Sequence, residues 1–331
     1  MKKLIVHNVG PVAHVELELK RINVIIGPQS AGKSCILKLA CFCAWLEKQN
    51  ELLQGKYITD EDGFWQESLV EFHKINGYVK KGDGAYFSYS SSSMTFSYDF
   101  DTNKFDFKWK QAGRWKYRRS RISYIPAERN IVGAVPNWLD VDLPENYIRS
   151  FIVDWSKARQ NYDSSRQLPI LGLGIGYYYD ESRGKDMVAI SGDNSLQFSE
   201  SSSGLQSLIP ILFPKTQVDM IYDIIGKSSI HKDSVFIATH SPYILYAINN
   251  CMMGYLAKDN IPKGEMCKNE KSWIDPNEVA VWELRNGMLS PSEDSKNNTL
   301  QDEDGLVRGN YFDRIMHNVM ADFTNYAMFY E

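Results

Sequence analysis

The chain has 331 residues, 43% of them hydrophobic, and a formal net charge of −4. That length holds one large domain or two modest ones with a real core, and the slightly acidic balance gives no global pull toward nucleic acid. No run approaches the roughly 20 apolar residues of a membrane span, and the apolar run after Met1-Lys2-Lys3 is too short for a signal-peptide core. The five cysteines, Cys35, Cys41, Cys43, Cys251 and Cys267, make no even framework. Cys41 and Cys43 fall on different faces of an expected helix, which suits neither a disulfide nor a zinc site. A cytoplasmic protein in a reducing compartment is expected.

Residues 3 to 27 read as two or three strands. Val15, Leu17 and Leu19 alternate with Glu16, Glu18 and Lys20, the period of a half-buried strand. Ile22 to Ile26 reads as a buried strand, and a helix is expected from Lys33 to about Leu53. Between them stands Gly27-Pro28-Gln29-Ser30-Ala31-Gly32-Lys33-Ser34, which matches G-x-x-x-x-G-K-[ST]. Set between a strand and a helix, such a loop turns backbone N–H groups inward on phosphate oxygens, helped by the positive helix end. Lys33 would reach the β- and γ-phosphates of ATP and Ser34 would hold Mg²⁺, with Cys35 opening the helix beside them.

A second helix is expected from Asp60 to about Ile75, with Phe64, Leu69 and Phe72 as its apolar members. From Tyr86 to Trp109 aromatic residues alternate with polar ones around a turn at Asp101-Thr102-Asn103-Lys104, an antiparallel β segment. It looks inserted, together with the preceding helix, over about residues 55–120. Ile122 to Ile125 reads as a strand running into Pro126-Ala127-Glu128-Arg129. A helix follows from Glu145 to about Tyr162, then short strands from Gly174 to Phe198 around a turn at Asp180 to Gly184. Leu205 begins a helix. Val235 to Ala238 is a short strand before Thr239-His240-Ser241-Pro242 and a new helix. Val279 to Leu284 is a strand ending at an Asn286-Gly287 turn, and Tyr311 to Phe329 is a closing helix. Strands alternating with helices argue an α/β fold with a mostly parallel sheet.

Three segments, in this order, carry a resemblance. They are the loop at Gly27 to Ser34, the stretch Ser202-Ser203-Gly204-Leu205-Gln206, and the strand-to-helix turn at Thr239-His240-Ser241-Pro242. Together with Tyr124 to Arg129 they resemble the bacterial AAA/ABC-type ATPases related to SMC, RecF and overcoming-lysogenization-defect (OLD) proteins. Many stand-alone members of that group belong to the anti-phage systems Septu, Gabija, PARIS and retrons. The resemblance implies a P-loop NTPase with an ABC-type head. Two protomers would sandwich two ATP molecules, and Ser202, Ser203, Gly204 and Gln206 of one subunit would complete the phosphate site of the other. His240 would contact the γ-phosphate or the attacking water, and Glu128 is the candidate for sensing Mg²⁺. On the residues alone, Ser201 to Gly204 reads equally as an ordinary helix cap and His240 as a structural histidine; the order of the segments places them otherwise.

The sequence departs from that family at one point. After the signature helix the family carries an apolar strand ending in acidic residues, which hold Mg²⁺ and polarise water. Here Leu208-Ile209-Pro210-Ile211-Leu212 runs straight into Phe213-Pro214-Lys215-Thr216-Gln217. Phe151-Ile152-Val153-Asp154 lies in a helical pattern before the signature loop and does not replace it. The chain joins two pieces around Ile209 to Pro214, or the deletion is real and turnover is poor, or it was engineered. The first is preferred, since loss of a central strand would leave two neighbours unpaired; a normal Cα spacing from Leu208 to Lys215 refutes it.

A basic cluster of Lys104, Lys108, Lys110, Arg114, Lys116, Arg118, Arg119 and Arg121 is interleaved with aromatic residues. It reads as a DNA-backbone contact, as a contact for an acidic protein, or as a solvated strand edge. The expected function is an ATP-binding, ATP-hydrolysing homodimer that senses or regulates in an anti-phage system whose separate effector is a nuclease or toxin. The alternatives are a RecF- or SMC-like DNA-binding ATPase, against which the lack of sustained heptads speaks, and a nucleotide-binding scaffold without turnover.

Overall fold

The computed structural model describes residues 2–53, 66–110, 124–126, 128–135, 142–170, 174–191, 194–209, 234–262, 270–291, 295 and 298–327. The chain divides into two compact units. The first holds Met1–Thr59, Ile75–Ser120 and Ile224–Glu331; the second holds Asp60–Lys74 and Arg121–Asp223.

The first unit is built on a nine-stranded sheet. β1 (Lys2–Val9) and β2 (Val12–Leu19) form a hairpin across Gly10 and Pro11, and β3 (Ile22–Ile26) is buried along its whole length. β4 (Tyr86–Ser90), β5 (Met94–Asp99) and β6 (Lys104–Trp109) follow as an antiparallel meander. Near the C-terminal end of the chain come β11 (Val235–Ala238), β12 (Val279–Arg285) and β13 (Met288–Leu289). The strand order is β11-β3-β12-β13-β2-β1-β4-β5-β6. The aromatic strands of residues 86–109 thus continue the main sheet through the antiparallel β1–β4 pairing.

The expectation of a mostly parallel sheet is corrected. Among the described residues, only the β11–β3, β3–β12 and β13–β2 pairings are parallel. The reason is local: tight turns at Gly10-Pro11 and Ser91-Ser93 leave no length for a crossover, so consecutive strands return as hairpins. α1 (Lys33–Leu52) lies over the sheet, its Phe42 ring 6.3 Å from that of Phe87 and 6.2 Å from that of Phe96. α5 (Pro242–Ala257) and α6 (Tyr311–Ala327) complete the unit's long helices.

β3 has β11 on one side and β12 on the other, both parallel to it. A further parallel strand beside this core can therefore enter only at the outer side of β11, where no described strand pairs. Its absence exposes one strand edge rather than two. The Cα spacing from Ile209 to Lys215 lies outside the described residues.

The second unit carries a four-stranded antiparallel sheet. β7 (Leu168–Ile170), β8 (Ile175–Asp180), β9 (Lys185–Ser191) and β10 (Asn194–Gln197) lie in the order β10-β9-β8-β7. α3 (Tyr147–Arg159) packs Phe151, Ile152 and Trp155 against Tyr177, Val188 and Phe198. Asn146 caps α3 by accepting from the Ile148 and Arg149 N–H groups. α2 (Ile131–Ala134) and α4 (Ser203–Leu208) are short. Of the helix expected from Asp60 to Ile75, the described part is a π-helical turn at Gln66–Glu71; Phe64 lies outside the described residues.

Candidate phosphate-binding site

β3 ends at Ile26 and the chain turns at once. Gly27 has φ 140°, Ser30 has φ 62° and Gly32 has φ 101°. A side chain at 27 would run into the Leu284 carbonyl oxygen of β12, and one at 32 would come within 2.6 Å of Val12 Cγ2. Both glycines are thus required twice, by backbone angle and by space. Ser30 holds a left-handed conformation that a non-glycine residue adopts at a cost, a kind of outlier that gathers at ligand-binding loops.

The helix that follows supplies the electrostatics. α1 runs for 20 residues, its N-cap is Gly32 without a side-chain cap, and no acidic residue lies in its first turn. The N–H groups of a helix start have no intrahelical acceptors, and they carry the positive end of the helix dipole. Here neither is answered by a side chain of the helix itself. Gln29, Ser30 and Ser34 are exposed on this face, while Lys33 is buried. Lys33 Nζ donates to the carbonyls of Gly27 at 3.0 Å and Pro28 at 2.5 Å. Burial lowers its pKa to about 8. The Cys35 thiol points away, donating to the Val9 carbonyl at 3.6 Å, and burial pushes its pKa up to about 12. Cys35 can therefore serve an anion only through its backbone.

His240 belongs to this site. β11 pairs with β3 from Val235↔Ile22 to Ala238↔Ile25, and the Thr239 N–H donates to the Ile25 carbonyl at 3.1 Å. That register carries the next residue to the mouth of the loop. The His240 ring lies near enough to the loop for the Gly27 carbonyl and the charge of Lys33 to act on it. Desolvation first, and Lys33 second, hold its pKa below the usual value, with the Gly27 carbonyl pulling the other way. At neutral pH the ring is mainly uncharged, so it can share a hydrogen bond with water or a phosphate oxygen.

The remaining sequence candidates belong to the second unit. Ser202 caps α4, its Oγ accepting from the Leu205 N–H at 3.4 Å. Ser203 and Gly204 form the first turn of that helix. The Gln206 amide donates back to the Ser199 and Ser201 carbonyls at 2.9 and 3.0 Å. Glu128 lies in a turn before α2, and its carboxylate accepts from the Tyr147 hydroxyl at 3.4 Å. Among the described residues, no group of three or more His, Cys, Asp or Glu could hold a metal ion. A cation here would rely on the exposed Ser34 hydroxyl, the phosphates it accompanies and water, which is within what Mg²⁺ accepts.

Of the basic cluster, Lys104, Lys108 and Lys110 are described. Lys104 and Lys108 project from β6, an end strand among those described, with Asp106 between them on the same exposed face. Lys110 is turned onto Ser90 Oγ at 3.0 Å and the Ser91 carbonyl at 2.9 Å. Arg114, Lys116, Arg118, Arg119 and Arg121 lie outside the described residues.

Two features were missed by sequence reasoning. A cleft of about 510 Å³ opens beside the first turns of α1, lined by Asn8, Gly10, Pro11, Val12, Tyr78 and Lys80. Tyr78 is fixed there by its carbonyl, which accepts from the Gly10 N–H at 2.7 Å, and by Lys38 of α1, whose Nζ lies 5.6 Å from the ring centre. The other is Glu283 on β12, fully buried, opposite Ile26 and paired with Arg314 of α6. A charge inside an otherwise apolar strand was the available signal for Glu283; nothing local in the sequence marked the cleft.

The tip of the β12–β13 hairpin backs both walls of this region. Asn286 and Gly287 have φ 49° and 76°, a two-residue turn with both angles positive. The Gly287 carbonyl accepts from the Ala13 and His14 N–H groups at 2.8 and 3.2 Å. Leu284, just before the turn, presents its carbonyl to Gly27.

No protein-family profile and no curated protein matches this chain. Among solved structures, the SMC head domain from Thermotoga maritima is similar to it, with a TM-score of 0.34 and 14% sequence identity over 74% of this chain and 90% of that one. No described helix is long and apolar enough to cross a membrane.

Proposed function

We propose that this chain is a dimeric, Mg²⁺-dependent ATP-binding protein of the ABC ATPase type. In this reading it hydrolyses ATP as the sensor or regulator of an anti-phage system with a separate nuclease or toxin effector. One observation carries the nucleotide part: the uncapped, acid-free start of α1 meets a buried lysine and a largely neutral histidine at a loop whose glycines admit no side chain. The defence role and the effector rest on the order of the three sequence segments.

The chain's own groups divide the work. The N–H groups of residues 31–35 donate to phosphate oxygens. Lys33, moving from the Gly27 and Pro28 carbonyls, places its charge between the outer phosphates. Bound Mg²⁺ would neutralise phosphate charge beside Ser34. His240 donates to or orients the water that attacks the γ-phosphorus. The cleft beside Tyr78 takes the base and ribose, leaving the phosphates at the helix start. A twin subunit's Ser202 to Gln206 segment would close the site from above. Phosphoryl transfer needs positioning and charge more than covalent help.

The reading is tested by measuring equilibrium ATP binding and phosphate release together, for the native chain and for Lys33→Ala and His240→Ala. Binding lost with Lys33→Ala and retained with His240→Ala, the latter with slowed turnover, supports it. Failure of the native chain to bind ATP in the presence of magnesium sinks it. A second reading has a specific observation behind it: no acidic strand follows α4 in sequence, which favours a scaffold that binds ATP and does not turn it over. Binding without phosphate release selects that reading. DNA binding that weakens with salt, and is lost on neutralising Arg118 and Arg119, would favour a repair-type ATPase. A nuclease, TOPRIM or reverse-transcriptase gene next to this one would support the defence role.

A further inference from the structure

Among the described residues, the polar contacts of α6 to other elements gather at its beginning. Asn310 caps it through the Phe312 N–H at 2.9 Å, Asp313 accepts from the Tyr246 hydroxyl of α5 at 2.8 Å, and Arg314 pairs with buried Glu283. From Arg314 to Thr324 every residue is exposed. A 17-residue helix left this exposed is marginal in water.

Its sequence is that of a buried helix. Phe312, Met316, Val319, Phe323 and Tyr326 are spaced four, three, four and three apart, the a/d seam of a coiled coil. Ile315 and Met320 widen the stripe. The exposed members are 42% (Ile315), 61% (Met316), 56% (Val319), 53% (Met320) and 66% (Phe323) accessible. The polar face carries Arg314, His317, Asn318 and Asp322, which lacks the excess of lysine and arginine that draws a helix to an anionic lipid surface.

We propose that α6 is a dimerisation helix, pairing antiparallel with α6 of a second copy of this chain. The stripe has no charge on it, so it offers no electrostatic code for a distinct partner, and it is as apolar as interfaces between identical subunits. Run backwards, it meets itself, with Val319 of one copy against Phe323 of the other. Such a self-complementary patch is what a two-fold axis requires. Five half-exposed side chains at roughly 100 Å² each remove about 1,000 Å² from the two copies together, the threshold of a specific interface. This pairing does not depend on the nucleotide reading: it forms without ATP, and Lys33→Ala leaves it intact.

The test is sedimentation equilibrium of the full chain without nucleotide, with circular dichroism to verify folding. A dimer is expected. Val319→Glu with Phe323→Glu should weaken it about a hundredfold or more, and Ala321→Glu, on the opposite face, should leave it unchanged. A native chain that stays monomeric at tens of micromolar overturns the proposal. So does a dimer that survives the double glutamate substitution, or one that the Ala321→Glu control dissolves equally. Co-sedimentation of the monomer with anionic vesicles, abolished by the same double substitution, would assign α6 to a membrane instead.

Discussion

Two serine-bearing loops each open a helix in this molecule, and they do opposite things with it. The loop at Gly27 to Ser34 leaves the start of α1 without a side-chain cap. The loop at Ser199 to Ser203 covers its own helix start with the Ser202 hydroxyl and ties its carbonyls to the Gln206 amide. The first uses left-handed angles at Gly27, Ser30 and Gly32 that only outside forces keep in place; the second spends its polar groups internally. Both place serines beside the helix start. What differs is whether the donors are already answered, and that separates a loop awaiting an anion from a self-sufficient cap.

The widest gap between the two loops should open with Lys33→Ala. Loss of the only buried lysine at the loop should weaken ATP binding more than a hundredfold, measured by calorimetry, with the fold retained in circular dichroism. Gly27→Ala should come next. A methyl there collides with the Leu284 carbonyl, and we expect a loss of about 2–4 kcal/mol in urea unfolding; unchanged stability would mean that the loop stands away from β12.

Proton linkage gives a graded test. Lys33 has its pKa lowered to about 8 by burial, and a phosphate would raise it. The free protein therefore loses the charge as pH passes 8, so binding takes up a proton and affinity falls with rising pH, approaching tenfold per unit. A flat profile between pH 7 and 9 would contradict the role given to Lys33. Tyr78→Ala should reduce affinity for ATP several-fold and for inorganic triphosphate not at all, read by competition. At the small end stands the second loop. Ser202→Ala should cost about 1 kcal/mol of stability as a lost cap and leave ATP binding by the isolated protomer unchanged. A large loss of binding there would erase the contrast drawn between the loops.

Much of the fold was readable because its signals are local. α1, α3, α5 and every strand of the Tyr86 to Trp109 segment follow from period and turn residues, and the Gly27 to Ser34 loop from spacing alone. Pairing partners were less accessible. The sequence pattern of alternating strands and helices suggested parallel neighbours, but short turns made hairpins of most of them. The π-helical turn at Gln66–Glu71 has no periodic signature distinct from an α-helix. At the site, the charge of Lys33 reaches His240. Tyr78 could not be foreseen, because it reaches the cleft through a backbone hydrogen bond to Gly10, across 68 residues of chain.

The Asn286-Gly287 turn sets a limit on how this chain can change length. It fixes how far β12 travels before reversing, and so where the Leu284 carbonyl stops under Gly27 and where the Gly287 carbonyl meets Ala13 and His14. One added residue would shift the hairpin by a step and turn alternate side chains to the wrong face, displacing the floor of the phosphate loop and the wall of the cleft together. The turn at Ser91 to Ser93 is tied down as well, with both serines buried and the Ser93 hydroxyl donating to Glu51 of α1 at 3.2 Å. Linkers, tags or permuted termini should be rejected at Asn286.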